Sequence, residues 1–122
     1  MSRIEKDDER EERIHNEAIV DAYGAEEHSI GWYYYLADNI TFPFKAKCVA
    51  ERGSSPLKVG EKVDVLDMAS ADVCERDMLV QIRLMDRIFG VPLAQLKPLD
   101  ADENSQEKIA DWHYWVGRGY EF

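Results

Sequence analysis

Oxygen-bearing side chains crowd one short run of this sequence. Asp100, Asp102, Glu103 and Asn104 stand within five residues, Glu107 and Asp111 follow at helical spacing, and only Lys108 opposes them. Hard cations such as Ca²⁺ take about six to eight oxygen ligands, and a D-x-D-x-N run can set alternate side chains around one point of a tight loop. The run does not complete an EF-hand. That template wants Gly at its sixth position and a bidentate Glu at its twelfth, where Ser105 and Asp111 stand here. The same residues also have a plain structural use: Asp100 or Asp102 capping the last helix, with Glu103 and Glu107 on its positive first turn.

A second group of acids lies nearer the N-terminus. Asp21, Glu26 and Glu27 flank the Tyr23-Gly24 turn, and Asp38-Asn39 ends a helix expected from Ala25 to Ile40. Asp38 is the odd member, because an acid at a helix C-terminus meets the negative end of the macrodipole and costs up to roughly 1 kcal/mol. Something should compensate for it: a cation shared with C-terminal carbonyls, or a neighbouring Lys or Arg. Asp64, Asp67, Asp72, Glu75 and Asp77 fall on strand exteriors and a connecting loop, and read as a solvated face.

Catalytic signatures are missing. There is no GxSxG, P-loop, GxGxxG or HExxH, and His15, His28 and His113 are far apart. His113, on the apolar stripe of the last helix, reads as a structural histidine, and an enzyme is not expected. Cys48 and Cys74 form no CxxC or Cys/His cluster and read as reduced thiols.

These residues must be positioned by one small domain. The chain has 122 residues, 45% of them hydrophobic, and 15 Lys plus Arg against 25 Asp plus Glu give a net charge of −10. That sign repels phosphate backbones and anionic membranes, so neither nucleic acid nor membrane is an expected partner. No signal-peptide core or long apolar run occurs, which leaves a soluble, cytoplasmic protein as the expectation. Residues 3–13 carry ten charged side chains of mixed sign and are expected to form a disordered arm or a frayed helix extension. A single globular domain then spans 14–122.

Within that domain Ile14, Ala18 and Ala22 share a face of a short helix. The aromatic run Gly31-Trp-Tyr-Tyr-Tyr-Leu36 fills a second, on which at least one ring must pack elsewhere or stay wet. Residues 44–98 alternate with period two in about five short strands separated by turns. The expected fold is α+β: a small SH3-like antiparallel β-barrel flanked by two N-terminal helices and one C-terminal helix, in which Ile109, Trp112, His113 and Val116 form the buried stripe.

The runs RIHNEAIVDAYGAEE, GWYYYLADNITFPFKAKC, SPLKVGEKVDVLDMA, VPLAQL and IADWHYWVGRGYEF resemble the small acidic calcium-binding protein family of cyanobacteria, the CcbP type, over most of the chain from Arg13. The resemblance implies a Ca²⁺ binder without EF-hands, an intracellular calcium buffer or sensor tied to the calcium signal of heterocyst differentiation. It carries over Asp38, within YYYLADN, as a ligand most directly, and the Asp100–Asn104 loop by character. The alternative expectation is an SH3-like interaction module that docks a basic protein partner through its acidic and aromatic surface.

Overall fold

The computed structural model describes residues 5–20, 22–53 and 55–120. Of the two expectations for the charged arm, disorder and a helix extension, its described part takes the helical one. Asp8–Arg13 form helix α1, started by Asp7, whose carboxylate accepts the Arg10 N–H, and α1 runs on into a π-helical turn, Ile14–Ala18. No residue of α1 is buried. Its anchors are polar: Arg10 and Arg13 reach Asp111, and Glu11 accepts the hydroxyls of Tyr114 (2.7 Å) and Tyr120 (2.6 Å). A composition this charged supplies no apolar reason to order, and the partners that do order it lie about a hundred positions away.

Helix α2 (Ala25–Asn39) follows Gly24 and ends where Ile40 turns extended. Its four aromatics divide as their number demands. Trp32 and Tyr35 are buried, Tyr33 is half-buried and Tyr34 is exposed. Helix α3 (Glu103–Gly117) lies against α2, with the Trp32 ring 5.0 Å from that of Trp112 and 5.6 Å from that of Trp115. The expected stripe is too narrow. Ile109 and Trp112 are buried, but so are Lys108, Asp111, Tyr114 and Trp115, because α1 covers a second side of the helix.

Between these helices run β1 (Phe44–Cys48), β2 (Lys62–Met68), β3 (Leu79–Leu84), β4 (Arg87–Pro92) and β5 (Leu96–Pro98). They form one antiparallel sheet in the order β4-β3-β2-β1-β5, with a register shift between Val65 and Asp67. Four strand spacings would separate β4 from β5 by about 19 Å in a flat sheet. The 3₁₀ turn that joins them, Leu93–Gln95, spans less than half of that, so the sheet must curl strongly. Pairing leaves β4 and β5 as its two edges; closure into the expected SH3-like barrel is not part of it.

His113 is the structural residue expected. Its Nε2 lies 2.7 Å from the Leu96 carbonyl and ties α3 to the start of β5. Burial holds its pKa below the ordinary imidazole value, against the opposing pull of that carbonyl. The unfolded chain therefore takes up this proton first as pH falls below about 6.5. Stability from this group is complete above that pH and lost as pH falls toward the folded value. Thermal melts between pH 7 and 5 should show a declining midpoint that His113→Gln flattens.

Candidate metal centre

The end of α2 and the start of α3 are stitched together by hydrogen bonds. Asn104 Nδ2 donates to the Asn39 carbonyl (2.9 Å), and the Thr41 N–H donates to the Ser105 hydroxyl (2.8 Å). Two acidic segments some sixty positions apart in sequence thus meet at one corner. The last helical bond of α2 runs from the Ile40 N–H to the Leu36 carbonyl, and the Thr41 N–H that would continue the ladder is spent on Ser105. The carbonyls of Ala37 and Asp38 stand past the end of the ladder, and unspent carbonyls at a helix C-terminus carry partial negative charge.

Asp38 is exposed at this corner. Among the described residues it makes no ion pair or hydrogen bond with its side chain, and no basic residue occupies the last turn of α2. The Lys or Arg that was one of two expected compensations is therefore not supplied by the described chain. Asn104, with Nδ2 engaged, keeps its amide oxygen as an acceptor.

The loop acids behave unequally. Asp102 caps α3, accepting the Ser105 N–H at 2.7 Å; that bond, with contacts to the Ser105 and Thr41 side chains, holds its pKa below the usual carboxylate range. Asp100 accepts the Lys45 N–H at 2.6 Å, tying the loop to β1. Glu103 is exposed in the first turn of α3. Glu107 pairs with Lys108 at 2.9 Å and lies 3.8 Å from Arg13; Lys108 first and Arg13 second hold its pKa down.

Asp111 does not join the loop. It is fully buried, accepts from Arg10, Arg13 and the Tyr35 hydroxyl, and has its charge answered within the protein. Glu26 and Glu27 sit in the first turn of α2, where Glu27 accepts the Tyr23 N–H at 3.1 Å. Eleven residues of helix separate Glu27 from Asp38, about 16 Å, so they share no ion with it. Asp21 lies outside the described residues.

Among the described residues no three His, Cys, Asp or Glu side chains converge to hold a metal. The donors at the α2–α3 corner are instead one free carboxylate, helix-end carbonyls and an amide oxygen. All are hard oxygen ligands, which suit Ca²⁺ completed by water and not Zn²⁺. Ser105 and Thr41, which join the two elements, were not legible as site residues. The only signal was that Ser105 occupies the position where an EF-hand needs Gly. Each histidine is engaged with a backbone carbonyl, His15 with Glu11, His28 with Ala22 and His113 with Leu96.

A family model described as calcium binding, Calci_bind_CcbP, matches residues 12–116. A crystal structure of Anabaena CcbP is similar at 41% identity and a TM-score of 0.88, with both chains covered completely. A calcium-binding protein in its calcium-binding form is similar at 40% identity and a TM-score of 0.88, again with full coverage of both chains. No match is found among the curated proteins.

Proposed function

The chain belongs to the CcbP family of calcium-binding proteins, and from that premise we propose that it holds Ca²⁺ at the α2–α3 corner and serves as an intracellular calcium buffer. The observation that carries the reading is Asp38, an exposed carboxylate at the negative end of α2 that no cation of the described chain answers. Asp38, the Ala37 and Asp38 carbonyls and Asn104 would hold the ion, with Asp100 and Glu103 raising the local negative potential. Bound Ca²⁺ supplies two positive charges where helix dipole and carboxylate both present negative ones.

Two features support sites of a kind other than EF-hands. The loop of residues 99–102 runs from strand β5 into α3, where an EF-hand would join two helices. The corner is also tied by hydrogen bonds of Asn104 and Ser105. A corner tied in this way favours buffering over sensing, since sensor EF-hands work by opening. With few carboxylates and open access to water, affinity weaker than the roughly 10⁻⁹ to 10⁻⁸ M of cytosolic buffer EF-hands is expected.

Asp38→Ala is the direct test. Calorimetry on chelator-stripped protein should lose the Ca²⁺ heat of one site. The melting temperature without Ca²⁺ should hold or rise slightly, because an unfavourable acid has left the helix end. An Asp38→Ala protein that titrates like the parent would overturn the assignment of this corner.

One observation favours a second reading. Glu27, Ile30, Tyr34 and Asp38 are spaced along one exposed face of α2, with Ile30 at 45% and Tyr34 at 55% exposure. Such a stripe suits a basic protein partner with an apolar anchor. Tyr34→Ser would then abolish partner binding while leaving Ca²⁺ heat intact.

A further inference from the structure

The outer face of the sheet carries two adjacent rows of charge that differ in kind. In the first, Lys45 on β1 lies opposite Asp64 on β2, which lies opposite Arg83 on β3, so the signs alternate. In the second, Lys47 on β1 lies opposite Lys62 on β2 and opposite Lys97 on β5, so three lysines stand side by side within about 10 Å. Like charges directly opposite each other on a sheet destabilise it. Among the described residues none of the three makes an ion pair or side-chain hydrogen bond. This occurs in a chain with 25 acids and a net charge of −10, where neutralising partners are abundant.

A groove of about 550 Å³ begins where the row ends. Lys97 belongs to both, Val49 and Pro98 give the groove apolar wall, and Glu5, Asp7 and Arg10 also border it, Arg10 being already paired with Asp111 and Asp7. Val49 is 41% exposed and directly follows Cys48, the last residue of β1.

We propose that the Lys97–Lys47–Lys62 row and this groove form a docking surface for a short, extended acidic segment of a partner protein that carries apolar side chains between its acids. The row answers the acids and the groove takes an apolar side chain. A nucleic acid fits less well. Its phosphates run on past a row of about 10 Å into the acidic remainder of the surface. A second copy of this chain fits less well too, since it brings a further net charge of −10.

The test uses the full chain in chelator, so that Ca²⁺ cannot bridge acids. A labelled synthetic peptide alternating Glu with Val should bind at low salt and weaken as salt rises. Replacing Lys47, Lys62 and Lys97 together by Ala should weaken binding about tenfold or more. Because Lys62 and Lys97 are exposed and Lys47 is half-buried, circular dichroism should match the parent; if it does not, Lys97→Ala alone should still weaken binding several-fold. Lys47→Glu should raise the melting temperature by a few degrees, through opposite-charge pairs with Lys62 and Lys97. The proposal is overturned by a parent that does not bind the peptide, by a triple variant that binds equally well, or by a Lys47→Glu that fails to stabilise. Equal or tighter binding of a single-stranded oligonucleotide of the same charge would also overturn it, as would a sedimenting dimer that the triple variant dissolves.

Discussion

Asp111→Ala is expected to cost about 3–5 kcal/mol of folding stability, the cost of removing one partner of a buried charge cluster. Asp111 has no exposed surface, and four hydrogen bonds converge on it: Arg10 Nη1 at 2.8 Å, Arg13 Nη2 at 2.6 Å, Arg13 Nε at 3.0 Å and the Tyr35 hydroxyl at 2.6 Å. Its removal leaves two partly buried guanidinium groups facing each other with no anion between them. The bond to Asp111 holds the Arg13 pKa above its ordinary value despite partial burial, so Arg13 stays charged and the repulsion cannot be relieved by deprotonation. Asp111→Asn keeps the shape and a hydrogen bond to Tyr35 but loses the charge, and should fall between parent and Ala. Urea unfolding followed by tryptophan fluorescence measures all three. Because Asp111 lies apart from the α2–α3 corner, folded Asp111→Asn should still titrate Ca²⁺ as the parent does. A missing Ca²⁺ site in that variant would return Asp111 to the ligand set.

Gly31→Ala is expected to destabilise by about 2–3 kcal/mol, although Ala in a helix interior ordinarily gains about 1 kcal/mol over Gly. A Cβ at this position would be driven into the backbone carbonyl oxygen of Ala18, in the π-helical turn that packs on α2. The obstacle is backbone, which cannot swing aside like a side-chain tip, so the overpacking cost outweighs the propensity gain. Gly31→Ser should do at least as much harm. The same denaturant measurement checks both, with Gly53→Ala as a control because nothing lies within 4 Å of its added Cβ. If Gly31→Ala proves stabilising, the close approach of α2 to Ala18 does not exist in solution.

Much of the architecture was legible because its causes are local. Alternation placed strands at 44–49, 62–66 and 78–84, close to the observed 44–48, 62–68 and 79–84, since a half-buried strand must change face at every residue. The Asp102 cap was legible because a cap is a bond to a residue three positions away. Asp38 stood out because its conflict with the helix dipole is likewise a matter of a few residues. Asp111 was misplaced for the complementary reason. It follows Glu107 by one helical turn and looks like one more acid on that face, yet Arg10 and Arg13 lie about a hundred positions away and turn it into a buried anchor. The same contacts, seen from the other side, anchor the helical extension of the charged arm.

By itself the sequence determined the class of fold, the acidity that makes polyanions poor partners, and the one acid at odds with its helix dipole. Each follows from composition, period or dipole, which neighbouring residues settle among themselves. Only the tertiary structure decided which carboxylates are free. Asp111 is answered by two arginines, Asp102 caps a helix, Asp100 holds β1, and Asp38 is left exposed where α2 meets α3. A charge takes its role from what lies within a few ångströms, and the fold brings most of those neighbours from far along the chain.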